Sequence, residues 1–107
     1  MKVGVLGFGH VAAATVESFM ANQDLMASKT ATSIELVRVA TRTPARAQGR
    51  VPPACVVSDD CWALVDDPQI DVVLELMGDV PLGRALVLRA LSNGKHIVTA
   101  NKALLAL

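Results

Sequence analysis

Residues 7 to 12 read Gly7-Phe8-Gly9-His10-Val11-Ala12, directly after the apolar run Lys2 to Leu6 and at the head of a stretch with helical spacing. Gly7 permits a tight strand-to-helix turn, and Gly9 lets a bound group approach the backbone. A small sixth residue lets the helix pack closely on the strand, which the methyl of Ala12 still allows. Amides at a helix start lack intrahelical partners and carry the positive end of the helix dipole, so this loop suits a pyrophosphate. A plain strand-to-helix turn is the competing reading.

The remaining pattern alternates short β-branched runs with longer amphipathic stretches, the rhythm of an α/β layer fold with a parallel sheet. A first helix is expected from His10 to Asn22, with Val11, Ala14, Thr15, Ser18 and Phe19 at helical spacing, followed by a connection over Gln23 to Ser33. A second strand is expected over Ile34 to Ala40. Thr41 to Pro53, with Pro44, Gly49, Pro52 and Pro53, reads as loop. Val56-Val57 is a minor strand, and Ser58-Asp59-Asp60 starts a short helix ending near Val65. Ile70 to Leu76 has the near-continuous apolar character of a central strand. A helix from Pro81 to Ser92, stopped by Asn93-Gly94, leads to a strand over His96 to Thr99 and a further helix beginning at Asn101. The apolar end Ala103-Leu104-Leu105-Ala106-Leu107 carries no stop signal, so the chain is expected to be the N-terminal piece of something longer.

Composition limits the alternatives. At 107 residues the chain supports one core and not two. Ten basic against ten acidic residues, scattered along the chain, offer no field for a nucleic-acid backbone. No apolar run approaches the roughly 20 residues that span a bilayer, and no secretory signal is evident. Cys55 and Cys61 lack further ligands at metal spacing and read as reduced thiols of a cytoplasmic protein.

Ligands of open α/β sheets gather at the carboxyl ends of the strands. The acid that would hold an adenosine ribose is missing after the second strand, where Ala40-Thr41-Arg42 stands instead. A guanidinium there can pair with a 2′-phosphate, so NADP is preferred over NAD, with Arg42 chosen over Arg46. The same rim receives Glu75-Leu76-Met77-Gly78-Asp79 and Thr99-Ala100-Asn101-Lys102. Glu75 could orient a ligand or could be a solvated strand end. Gly78 serves backbone approach or a positive φ. Lys102 would set a cation in the first turn of a helix capped by Asn101, where the dipole disfavours it, so stability alone would not select it. Near a nicotinamide it could relay a proton or hold an oxyanion. His10 could touch phosphate or simply be exposed, His96 reads as structural, and Trp62 and the methionines read as core.

Together Val3-Gly4-Val5-Leu6-Gly7-Phe8-Gly9-His10-Val11, Ala40-Thr41-Arg42, Val73-Leu74-Glu75-Leu76-Met77-Gly78 and Gly94-Lys95-His96-Ile97-Val98-Thr99-Ala100-Asn101-Lys102-Ala103-Leu104-Leu105-Ala106 resemble homoserine dehydrogenase over essentially the whole chain. The resemblance implies a Rossmann-like doubly wound parallel sheet, incomplete at its C-terminal end, as a partial NAD(P)-binding domain over 1–107. It implies NAD(P)-dependent interconversion of L-homoserine and L-aspartate 4-semialdehyde, towards threonine, methionine and isoleucine. The substrate-binding and dimerisation domain would lie downstream, the full-length enzyme being a homodimer and this stretch alone inactive. By the same resemblance Lys102 is the catalytic residue, and Gly7, Phe8, Gly9, His10, Val11, Arg42, Met77, Gly78, Thr99, Asn101 and Lys102 line the cofactor. The family often has glycine where Ala12 stands and a second glycine where Asp79 stands. Two other readings are a dehydrogenase of the glucose-fructose oxidoreductase type, whose usual Glu-Lys-Pro differs from Asn101-Lys102-Ala103, and a non-catalytic nucleotide-sensing module.

Overall fold

The computed structural model describes residues 1–21, 34–78 and 81–99. Five strands, β1 (Lys2–Leu6), β2 (Glu35–Ala40), β3 (Val56–Ser58), β4 (Val72–Glu75) and β5 (His96–Thr99), form one sheet in the order β3-β2-β1-β4-β5. Every pairing is parallel. From the central β1 the chain moves outward to β2 and β3, then returns to the other side of β1 for β4 and β5. Such a reversal leaves a crevice outside the carboxyl ends of the two strands where it occurs. The registers align those ends, with Ser58, Ala40, Leu6, Glu75 and Thr99 forming one row across the sheet.

Helix α1 (His10–Ala21) and the single turn α2 (Pro44–Ala47) cover one face; α3 (Cys61–Asp66) and α4 (Pro81–Ser92) cover the other. Alternation along β1 feeds both cores: Val3 and Val5 pack with Ala12, Ala13, Val16 and Ala47, while Leu6 packs with Leu64, Val73, Leu86 and Ala90. Beside α1 an apolar groove of about 290 Å³ runs past Val5, Phe19, Leu74 and Val98. Helix α4 ends where expected, with Gly94 at φ 80° and Lys95 N–H donating to Ala90 O at 3.0 Å.

Several expectations need correction. Val11, Ala14, Thr15 and Ser18 face solvent, and Ala12, Ala13 and Val16 form the buried stripe of α1. The helix leaves the sheet so close to β1 that its inner face takes alanines, which the spacing of bulkier residues concealed. The segment 41–53 contains α2, because Pro44 at the first helical position has a preset φ and needs no amide partner. Helix α3 is capped by Asp60, whose Oδ1 accepts from Ala63 N–H at 3.0 Å, and Ser58 instead ends β3. Trp62 is exposed, since Cys61, Leu64 and Val65 occupy the inner side of this short helix; Met1 and Met20 are exposed too. Strand β4 begins at Val72 rather than Ile70. The 23–33 connection and the helix expected from Asn101 lie outside the described residues.

Candidate functional site

The glycine loop stands where β1 hands the chain to α1. Gly7 has φ 92°, and a Cβ there would lie 3.0 Å from the Leu76 carbonyl oxygen, so both backbone conformation and space demand glycine. Its N–H donates to Ala40 O at 2.7 Å, tying the loop to the end of β2. A Cβ on Gly9, by contrast, would meet nothing within 4 Å. The space it would point into is open for a ligand. The first helical bond of α1 runs from Ala13 N–H to Gly9 O at 2.9 Å, which leaves the amides of the preceding turn without acceptors four residues back in the helix. Open space beside these amides at the positive end of a twelve-residue helix fits a pyrophosphate.

Gly7, Phe8, Arg42 and Met77, all predicted, line one depression of about 170 Å³ with Thr41 and Leu76. Arg42 is exposed, and among the described residues it forms no ion pair. The neighbouring Arg50 is already engaged. Its Nη2 donates to Glu17 Oε1 at 2.9 Å, and its guanidinium lies 5.3 Å from the centroid of the Phe8 ring. Arg46 is exposed but does not line the depression. Buried Thr41, which the sequence did not single out, fixes this turn: its N–H donates to Ser58 O at 2.9 Å and its Oγ1 accepts from Thr43 N–H at 3.3 Å. At the end of β2 the chain itself runs Ala40-Thr41-Arg42.

Further along the rim, Gly78 takes φ 83° as expected. Glu75 corrects the solvated reading: it is fully buried, with Oε1 accepting from Met77 N–H at 2.9 Å and Oε2 from the Thr99 hydroxyl at 2.6 Å. Thr99 thus ends β5 bonded to the neighbouring strand. His10 and Val11 are exposed at the mouth of the loop. Asn101 and Lys102 lie outside the described residues.

The larger hollow, about 700 Å³, opens at the opposite rim between Met1, Pro68, Asp71 and His96. Lys95, Asp71 and Asp66 at this rim are each hydrogen-bonded within the protein. Lys95 Nζ donates to Asp67 O at 2.5 Å and Ile70 O at 2.7 Å, and Asp71 accepts from Lys2 N–H at 2.8 Å. Hydrogen bonds from Arg89 and Asn93 hold the Asp66 carboxyl below the usual carboxylate range. Both cysteines are free, burial raising the Cys55 thiol to about 11 and also raising Cys61, so neither is a ready thiolate. Among the described residues no group of metal-ligating side chains occurs, and no helix is long and apolar enough to cross a membrane.

The profile of the homoserine dehydrogenase NAD-binding domain matches residues 7–107. The chain belongs to this family. It is 43% identical over 106 residues to homoserine dehydrogenase from Methylobacillus glycogenes, covering 99% of this chain and 26% of that one. Homoserine dehydrogenase from Pseudomonas aeruginosa is 39% identical over 108 residues, covering 99% of this chain and 24% of that one. The crystal structure of a homoserine dehydrogenase from Thiobacillus denitrificans superposes with a TM-score of 0.87 at 37% identity, covering 99% of this chain and 24% of the other. The Staphylococcus aureus enzyme at pH 7.5, at 22% identity and a TM-score of 0.85, shares the fold over 95% of this chain and 26% of its own. This homoserine dehydrogenase NAD-binding domain therefore spans about a quarter of the length of the relatives it matches. Its reversing parallel sheet and glycine loop are the Rossmann-like arrangement expected of a nicotinamide site.

Proposed function

We propose that the chain is the nucleotide-binding portion of a cytoplasmic enzyme that interconverts L-homoserine and L-aspartate 4-semialdehyde with NADP as the preferred cofactor. The observation that carries this reading is the convergence of the glycine loop and Arg42, which forms no ion pair among the described residues, on one depression, in a chain of the homoserine dehydrogenase family. A nicotinamide bound at this rim accepts or supplies hydride. The backbone at Gly7 and Gly9, with the first-turn amides at His10 and Val11, binds the pyrophosphate. Arg42 bonds the 2′-phosphate, a contact NAD does not offer. Phe8 and Met77 wall the site, and Gly78 and Thr99 border its nicotinamide end. By the sequence and its resemblance, Asn101 borders the cofactor and Lys102 holds or moves a proton at the substrate oxygen. Substrate-binding and dimerisation residues belong to the length this chain does not span.

Titration of NADPH and NADH into the purified, folded protein tests the cofactor reading. NADPH is expected to bind more tightly, and Arg42→Ala is expected to weaken NADPH by about tenfold or more while barely changing NADH, as loss of a charge-assisted hydrogen bond requires. Binding of neither nucleotide, or an NADPH preference that survives Arg42→Ala, contradicts it.

A further inference from the structure

Glu75 is the one acidic side chain that the described residues bury completely. Alternation along β4 places it with Val73, on the face where Leu6 and Leu86 pack, and its register partner on β1 is Leu6. An apolar side chain would serve that position better for stability alone, since burying a carboxyl group costs free energy unless its oxygens are hydrogen-bonded. Here each oxygen has a partner, and both partners belong to the carboxyl rim: Met77 N–H, two residues on, and the Thr99 hydroxyl, at the end of the next strand.

The first bond folds the exit of β4 back on itself just before the positive-φ Gly78; the second ties that exit to the exit of β5. The same exit is bonded to the glycine loop's strand, Leu76 N–H donating to Leu6 O at 3.0 Å. It also sets the space at the loop, because Leu76 O is the atom a Gly7 Cβ would strike. One buried carboxyl group therefore ties the exits of β4 and β5 to each other, next to the glycine loop.

This inference rests on the nucleotide reading above. With the adenosine phosphate at Arg42 beyond β2 and the pyrophosphate over β1, an extended dinucleotide continues across the exits of β4 and β5. We propose that Glu75 is a positioning residue which, through Met77 and Thr99, holds these two exits at the separation that receives the nicotinamide half of the cofactor. Its effect is confined to that half, since Thr41, which carries the chain into Arg42, is anchored separately through Ser58 and Thr43.

The test compares NADPH with adenosine 2′,5′-bisphosphate, which carries the phosphates of the adenosine half and no nicotinamide, on Glu75→Met and Glu75→Gln. Glu75→Met is expected to lose about tenfold or more of NADPH affinity while binding the bisphosphate as the parent protein does, because both hydrogen bonds to the rim are gone. It is also expected to alter the fluorescence of bound NADPH. Glu75→Gln keeps an oxygen for Met77 N–H and an amide that can donate to Thr99, so it is expected to restore most of the NADPH affinity. Equal NADPH affinity in Glu75→Met and the parent, or parallel loss of both ligands, overturns the proposal. Should Glu75→Met not fold, Thr99→Val is read the same way: selective loss of NADPH supports the tie, and unchanged or parallel affinities overturn it. Failure of the parent protein to bind either ligand contradicts the nucleotide reading itself, an outcome distinct from all of these.

Discussion

At the amino rim of the sheet, Lys95 gives its ammonium to two carbonyls, Asp71 takes the Lys2 amide, and Asp66 holds Arg89 and Asn93. At the carboxyl rim, Arg42 makes no ion pair among the described residues and the first-turn amides of α1 have no acceptor four residues back in the helix. The amino rim has the larger hollow, yet its polar groups are taken up in joining α3 to α4 and the turn before β4 to β1 and to the turn after α4. The smaller depression keeps its donors available. Size alone would choose the wrong end; hydrogen-bond satisfaction chooses the end that the order of the strands also indicates.

Substitutions can break this contrast. Lys95→Met should have the largest effect on stability, about 2–3 kcal/mol, because it strands the carbonyls of Asp67 and Ile70. Thermal or denaturant unfolding would show it, with NADPH affinity unchanged wherever the protein is folded. A loss of NADPH affinity at unchanged stability would put function at the amino rim. The two glycines of the loop sharpen the contrast within one turn. Gly7→Ala should destabilise by about 1–3 kcal/mol through its positive φ and its clash with Leu76 O. Gly9→Ala should change stability by no more than about 0.5 kcal/mol, since its Cβ meets nothing, and should still weaken NADPH. Unfolding curves and titrations on the same samples separate the two, and equal binding by Gly9→Ala and the parent would mean the open space beside Gly9 is not where the pyrophosphate lies.

Much of this was legible in the sequence. The turn at Gly7 and the stop at Asn93-Gly94 are local signals, and Gly7 and Gly94 lie where the backbone takes a positive φ. The place of Arg42 beside the glycine loop could be read because strand and loop lengths put the residue after β2 on the same rim. The inner face of α1 was misread because periodicity rewards large apolar residues, whereas close approach to β1 selects Ala12 and Ala13. Glu75 and Lys95 were missed as buried groups because their burial depends on partners about 24 to 28 residues distant, across adjacent strands and the turn before β4. A charged residue beside an apolar run looks the same in sequence whether it meets water or a carbonyl. In the Gly94-Lys95-His96 portion of the family-like segment, the lysine proves to be a clasp at the rim away from the nucleotide site.

Amide chemical-shift mapping of the folded protein during titration with NADPH tests the central claim most directly. The account predicts that the largest changes fall on Gly7, Gly9, His10 and Val11, with Arg42 and Met77 next, and that Asp71, Lys95 and His96 stay still. Changes centred on Asp71, Lys95 and His96, around the larger hollow, would contradict it.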